Sequence, residues 1–366
     1  MFESRIKLLQ DSLVDHEIDG LLITSSYNIA YLTGIHAFSL EEREARIIVS
    51  KHNIYLFTDA RYTQMVKEFA PFVSLIEISG DNPFSKAALE ILVKDKIKQL
   101  GFEEENISYK EAADLEEKYV DIDFIPIEEA VENIRIVKDS DEIEKIRKAC
   151  TLSDRGFDFI IKHLKPGATE LEIKTLLENF IRSEGGEISF ASIVAFGKNA
   201  AIPHHLSTKD QRLKANDCVL LDFGAKVDGY CSDMTRTVFV GKPTDKFKKM
   251  YLATKEAQEV AMDYLSTHMK KGFEIKKAQE LANSHLKTKG FPNIPHAIGH
   301  GVGLQVHELP YVSPYADDDL VPGMVITNEP GVYIPNQYGV RIEDTVLITQ
   351  NGVEVLTKSP KNLIVI

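Results

Sequence analysis

The sequence predicts two domains in series, a small α/β unit and then a larger α+β unit. Three observations carry that prediction. Short helical and strand patterns alternate up to about residue 130. Beyond it, longer amphipathic helices alternate with strand-like runs rich in carboxylates and histidines. A charged stretch, VENIRIVKDSDEIEKIRKAC (131–150), separates the two. At 366 residues the chain is long enough for each unit to bury its own core.

In the first unit Ile6, Leu8, Leu9, Leu13 and Val14 recur near helical spacing and predict an N-terminal helix. GLLIT (20–24), ARIIVS (45–50) and NIYLFT (53–58) read as short buried strands. Helical stretches follow at 60–69 and 84–99, then a strand at DFIPI (123–127), with no cluster of metal-binding residue types in this half. The boundary is placed near Arg135, giving domains 1–134 and 135–366. Past it, Ser140 is positioned to cap a helix over 141–163, with Glu142 and Glu144 favouring its positive end. The charges of KDSDEIEKIRK (138–148) read as a solvated helix face. LKPGATE (164–170) forms a turn, and a helix over 170–184 stops at Gly185 and Gly186. Helices near 244–270 and 274–289 lie outside the antiparallel strands that carry the acidic residues.

Composition narrows the partners. Hydrophobic residues at 43% and charged ones at 27% are ordinary for a soluble globular chain. A net charge of −13, spread along the chain, argues against nucleic acid and anionic membranes, since both reward basic patches. No run of about 18 apolar residues occurs, and the N-terminus has no apolar signal core. Cys150, Cys218 and Cys231 form an odd set without CxxC spacing, which fits a reducing compartment and hence the cytoplasm.

Five residues of the second unit stand out as candidate metal ligands: Asp222, Asp233, His300, Glu329 and Glu343. Four carboxylates and one imidazole make a hard, oxygen-rich set, suited to a pair of divalent ions rather than to a structural zinc. Asp222 and Asp233 flank Asp228-Gly229, a strong two-residue hairpin signal. Centring the hairpin there puts residue 222 opposite 235, so 222 and 233 share a face. Glu329 and Glu343 flank a second candidate hairpin, VYIPNQYGV, centred near 336 or 337. His300 lies in GHGVG, where glycines permit close backbone approach or positive φ. Taken singly, each Asp could be a turn residue, Glu343 a salt-bridge partner of Arg341, and His300 a satisfied polar group. Together their burial would leave carboxylates without a counter-charge, and a cation answers that cost. Cys218 reads as a small core residue, and Cys231, one strand step from Asp233, is expected to face the same side without being a ligand.

The motifs LLDFGA (220–225), SDMTRT (232–237), GHGVGL (299–304), NEPGVY (328–333) and RIEDT (341–345), with RIVKDSDEI (135–143), resemble those of the pita-bread metallopeptidases. The likeness is to the proline-directed branch, which contains Xaa-Pro dipeptidase (prolidase) and aminopeptidase P, and it spans nearly the whole chain. It implies a pita-bread catalytic domain preceded by a creatinase-like N-terminal domain. By this resemblance Asp222 would chelate a first metal, Asp233 and Glu343 would bridge two, and His300 and Glu329 would complete the second. A hydroxide held between the ions would attack the scissile carbonyl, with Glu329 as catalytic proton shuttle. His307 would contact substrate and stabilise the intermediate, and His296 would stand near the proline pocket. GKNAAIPHH (197–205) supplies a further catalytic, substrate-binding histidine, His204 by motif alignment and His205 by counting back from Asp222. Arg341 would orient Glu343 or a neighbour.

The resemblance further implies proline-containing peptides as substrate, a homodimer, and two ions per chain, manganese first with cobalt, zinc or iron as alternatives. Dipeptidase action leads, with aminopeptidase P action on longer peptides as the alternative. Methionine aminopeptidase lacks a comparable N-terminal half. Metal-free C–N hydrolysis of the creatinase kind and a non-enzymatic binding module both sit poorly with the full set of five candidate ligands.

Overall fold

The computed structural model describes residues 2–366 except 268, 272 and 318. The chain divides into two compact units between Arg135 and Ile136. The first runs α1 (Phe2–Asp15), β1 (Gly20–Ile23), α2 (Ser26–Thr33), β2 (Ala45–Ser50), β3 (Ile54–Thr58) and α3 (Thr63–Phe69). It continues with β4 (Ser74–Glu77), α4 (Phe84–Lys94), β5 (Gln99–Glu103), α5 (Tyr109–Lys118), β6 (Asp123–Ile127) and α6 (Glu132–Arg135). Its strands form one mixed sheet in the order β4-β3-β2-β1-β5-β6.

The α1 stripe is narrower than the spacing suggests. Ile6, Leu9 and Leu13 are buried, while Leu8 and Val14 face solvent at 57% and 67% exposure. Arg5 is buried instead, its guanidinium bonded to Tyr31 O and stacked over the Tyr31 ring. The helix expected over 84–99 stops at Lys94, and the chain turns through Lys96 (φ +56°) into β5. α5 gave no apolar signal because it buries none of its residues; it depends on a capping box between Ser108 and Glu111.

The second unit begins with α7 (Ser140–Ile160) and α8 (Glu170–Ser183), then β7 (Glu187–Ile188), β8 (Ile193–Phe196), β9 (Cys218–Phe223), β10 (Ala225–Val227), β11 (Tyr230–Cys231) and β12 (Met234–Phe239). After α9 (Asp245–Leu265) and α10 (Lys277–Thr288) come β13 (Gly299–Gly301), β14 (Glu308–Val312), β15 (Val325–Asn328), β16 (Gly331–Ile334), β17 (Tyr338–Arg341), β18 (Asp344–Thr349) and β19 (Gly352–Val355). Every strand pair of this unit is antiparallel. In the stretch expected to be helical over 244–270, helix ends at Leu265, and residue 268 lies outside the described residues.

Helices cover the strands on two sides, and β9 shows why. Val219, Leu221 and Phe223 enter a core with Phe157 of α7 and Leu177 of α8. Cys218 and Leu220, on the opposite face, enter a core with Phe247 and Met250 of α9. Strand alternation thus aims Asp222 to the α9 side. Each fully buried Phe or Leu contributes roughly 1.5–3 kcal/mol, so Phe223→Ala would cost about 3–5 kcal/mol.

α7 departs from expectation twice. Its N-cap is Asp139, not Ser140, because the Asp139 carboxylate accepts from Asp141 N and Glu142 N and Glu142 returns the bond. Its charges are not all solvated either, since Lys138 and Glu142 are 4% and 2% exposed. Among the described residues no helix is long and apolar enough to cross a membrane.

Candidate metal centre

Two hairpins and one glycine-flanked strand bring the acidic residues together. β9 and β12 pair with Asp222 opposite Thr235, and Asp228 (φ +50°) and Gly229 (φ +82°) make the tight turn beyond them. Asp233, two positions from Thr235, therefore shares the face of Asp222. In the other hairpin Gly331 pairs with Arg341 and Ile334 with Tyr338, which centres it on Asn336. The same register runs on into β15 and β18, where Asn328 pairs with Asp344. Glu329 and Glu343 occupy the gap between these ladders, directly opposite one another.

His300 is set by close backbone approach and not by positive φ. A Cβ on Gly299 would stand 2.1 Å from Thr327 O, and one on Gly301 2.1 Å from Leu309 O. His300 Nδ1 donates to Gly301 O at 3.1 Å, so the neutral ring carries its lone pair on Nε2 and the protonated ring carries a second N–H there. That nitrogen lies 3.4 Å from Glu329 Oε1 and 3.6 Å from Asp233 Oδ2.

These side chains line a cavity of about 320 Å³, with Phe190, Ile193, Pro203, His204, His296, His307 and Tyr311 among its other walls. Three groups have ligand atoms within 4.8 Å of one another: Asp222, Asp233 and Glu343; His300, Glu329 and Glu343; Asp233, His300 and His307. Asp222, Asp233 and Glu343 are only 8%, 4% and 2% exposed. Burial, reinforced by the charges of Glu343, Asp222 and Glu329, pushes the Asp233 carboxyl well above the usual range. Burial also raises Glu343, with Glu329 and Asp222 as repelling neighbours, and raises Asp222 against the opposing charge of Arg341. Glu329 is the exception. Burial pushes it up, but the bond and charge of His300 outweigh that and bring it down to about 2.

The residues fit a bound cation. Asp233 Oδ1 is buried without a hydrogen-bond partner, and four carboxylates share one guanidinium, Arg341, among the lining residues described. Leaving such groups uncompensated is costly, whereas divalent ions would satisfy both the vacant oxygen and the excess charge.

The remaining expected residues fall as follows. His204 lines the cavity, while His205 Nε2 sits 2.8 Å from Glu170 Oε2. His296 has both ring nitrogens engaged, Nδ1 with Ala297 O at 2.7 Å and Nε2 with Tyr333 OH at 2.9 Å. The His307 ring stands edge-on to that of His300, with centroids 4.2 Å apart. Arg341 grips Asp222, not Glu343: its NH2 reaches Asp222 Oδ2 at 2.5 Å, NH1 reaches Tyr333 OH at 2.8 Å, and Nε reaches Thr235 Oγ1 at 3.0 Å. Glu343 is held instead by Thr235, whose hydroxyl donates to Oε2 at 2.6 Å. Cys231 does not reach the cavity, because the break at Ser232–Asp233 turns its Sγ to Leu304 O at 3.6 Å.

Sequence reasoning missed Thr235, Tyr333 and Tyr311. Strand periodicity held the signal: Thr235 is two residues from Asp233, Tyr333 four from Glu329, and Tyr311 pairs directly with His300.

Residues 144–350 match the model of metallopeptidase family M24, and residues 5–137 match that of the creatinase/prolidase N-terminal domain. An uncharacterised peptidase of Bacillus subtilis (strain 168), YqhT, is 38% identical over 351 residues, covering 95% of this chain and 96% of its own. The structure of an Xaa-Pro dipeptidase from Bacillus anthracis superposes with a TM-score of 0.93 at 34% identity, covering 100% of both chains. That of an X-Pro aminopeptidase from Thermotoga maritima gives 0.86 at 34% identity, covering 96% of this chain and 98% of the other.

Proposed function

This chain belongs to metallopeptidase family M24, and from that premise we propose that it hydrolyses the peptide bond before proline, as an Xaa-Pro dipeptidase with two divalent ions. The observation that carries the reading is the partnerless Asp233 Oδ1 among four clustered carboxylates. Asp222, Asp233, His300, Glu329 and Glu343 would hold the ions, manganese first. When bound, such ions polarise a carbonyl and lower the pKa of water.

The protein's own groups do the rest. Arg341 and Thr235 fix the orientations of Asp222 and Glu343. Glu329, ionised at neutral pH, accepts the proton of the attacking water and delivers it to the proline nitrogen, which has no N–H and must be protonated to leave. His307 and His204 donate to the substrate carbonyl as charge builds on its oxygen. Phe190, Ile193 and Pro203 offer an apolar wall for the pyrrolidine ring. Tyr333 holds His296 beside it.

Cleavage of longer Xaa-Pro peptides is a second reading with one observation in its favour. Arg341 is committed to Asp222, Thr235 and Tyr333, so it does not offer itself to a dipeptide's free carboxylate. The test is hydrolysis of an Xaa-Pro dipeptide and an Xaa-Pro-Xaa tripeptide by metal-stripped and Mn-supplied protein. Mn-dependent cleavage of the dipeptide alone supports the dipeptidase, and cleavage of the tripeptide supports the aminopeptidase. No cleavage of either sinks both.

A further inference from the structure

The motif RIVKDSDEI (135–143) explains a helix start, yet Lys138 and Glu142 within it are deeply buried. Lys138 Nζ lies 2.7 Å from Glu308 Oε1, with the side chains 1% and 5% exposed. Glu308 follows His307, and its carboxylate folds under the loop that joins β13 to β14. Gln305 N donates to Glu308 Oε2 at 3.2 Å. A Cβ on Gly303 would stand 2.2 Å from Glu308 Oε1, so only glycine leaves room for this arrangement.

Four residues after Lys138, Glu142 reaches the other hairpin. Its Oε1 accepts from Tyr230 OH at 3.0 Å, and its Oε2 from Asp139 N at 3.0 Å. Tyr230 lies between Asp222 and Asp233 at the end of their hairpin, while β14, which Glu308 opens, pairs with the strand of His300. Cys231 N also donates to Gly303 O at 2.8 Å, so the two hairpins touch where the segment 138–142 binds both. A buried ion pair holds only while both partners remain. Without Lys138 the Glu308 carboxylate would turn toward water and carry the His307 loop with it.

We propose that Lys138 and Glu142 are positioning residues, a brace that fixes His300 and His307 against Asp222 and Asp233. The proposal rests on the metal-dependent peptidase reading above. Its geometry is specific: one short segment holds Glu308 of one hairpin and Tyr230 of the other.

The experiment compares wild type with Lys138→Met, Lys138→Arg, Tyr230→Phe and the double variant Lys138→Met/Glu308→Gln. Each is shown to be folded by circular dichroism, then measured for Mn affinity by calorimetry and for kcat and KM separately. Lys138→Met should weaken Mn binding about tenfold and lower kcat about as much, with KM of the loaded enzyme little changed. Lys138→Arg should recover most of both losses, and the double variant should bind Mn more tightly than Lys138→Met because a neutral amide replaces the carboxylate that lost its buried cation. Tyr230→Phe should lose about two- to fivefold.

A purely structural pair would lower the melting temperature while folded protein bound Mn and turned over as wild type does, and that result overturns the proposal. If Lys138→Met does not fold, wild-type affinity and kcat in Tyr230→Phe overturn it instead. If wild type cleaves no Xaa-Pro peptide, the function reading fails while the Mn affinities still decide the brace.

Discussion

Glu103 in the first unit and Asp233 in the second are both acids removed from water, yet their surroundings differ in kind. Glu103 receives Thr24 N at 2.6 Å, Ser25 N at 2.8 Å and Asn28 Nδ2 at 2.6 Å. Burial raises its pKa, but these donors oppose the rise. Asp233 is raised by burial too, and there the next largest contributions are other carboxylates. A buried acid ringed by donors is architecture; one ringed by acids is half of a binding site.

Adjacent residues repeat the contrast. Glu343 meets one hydroxyl and repelling neighbours. Asp344 meets Arg236 at 2.6 Å, Lys361 and Gln258 at 2.8 Å, and Thr357 at 2.9 Å. Burial pushes Asp344 up, but Arg236 and Lys361 outweigh it and leave it below the usual range.

The largest test of the contrast is Asp233→Asn. It should cut Mn-dependent peptidase activity by more than about 100-fold, the upper end of what outlying partners of a metal site cost. Retention of a tenth of wild-type activity would mean Asp233 holds nothing essential. Next come the neighbours. Asp344→Asn should destabilise by about 3–5 kcal/mol by stranding Arg236 and Lys361, a fall in melting temperature of roughly 10 °C, and leave Mn affinity intact. Glu343→Gln should do the reverse: calorimetry should find Mn binding lost, while the metal-free protein melts no lower than wild type. Equal behaviour of the two variants would erase the distinction.

Glu103→Gln should cost about 1–3 kcal/mol by denaturant titration, with no change in Mn binding. The smallest effect concerns pH. With Asp233 and Glu343 raised, the folded metal-free protein binds protons more tightly than the unfolded chain does. The stability these two groups contribute is therefore fully present below the ordinary carboxylate range and is lost as pH rises through their raised folded values. Metal-free protein should melt several degrees higher at pH 5.5 than at pH 8, and Mn should flatten that slope. A metal-free melting temperature that rises with pH would contradict this direction.

What was legible in the sequence follows the same line. Period-two spacing was enough to place Asp222 opposite Thr235 and to put Glu329 and Glu343 on one ribbon, because a strand's side-chain direction is decided by counting. The partners of those acids were not countable. RIED names a cation and two acids, but only the three-dimensional path shows Arg341 turning to Asp222, 119 positions away, and Arg236 turning to Asp344. Lys138 and Glu142 looked solvated because charge runs usually are, and the side chains they meet, Glu308 and Tyr230, lie 88 or more positions on. β4 and α5 were silent for another reason: neither has a buried residue, so neither carries an apolar rhythm.

Pairing lapses at Glu329 and Glu343, yet the same register holds on either side of them, in β15–β18 and in β16–β17. Because Glu329 and Glu343 face each other across one ribbon, their separation is set by the interstrand spacing, about 5 Å, and not by any loop. The tip at Pro335–Gln337 can therefore be lengthened, shortened or exchanged without retuning the chemistry at its base. Turn sequence and carboxylate spacing become separately variable parts of one hairpin, and a laboratory could graft new tips onto it with the spacing of Glu329 and Glu343 held constant.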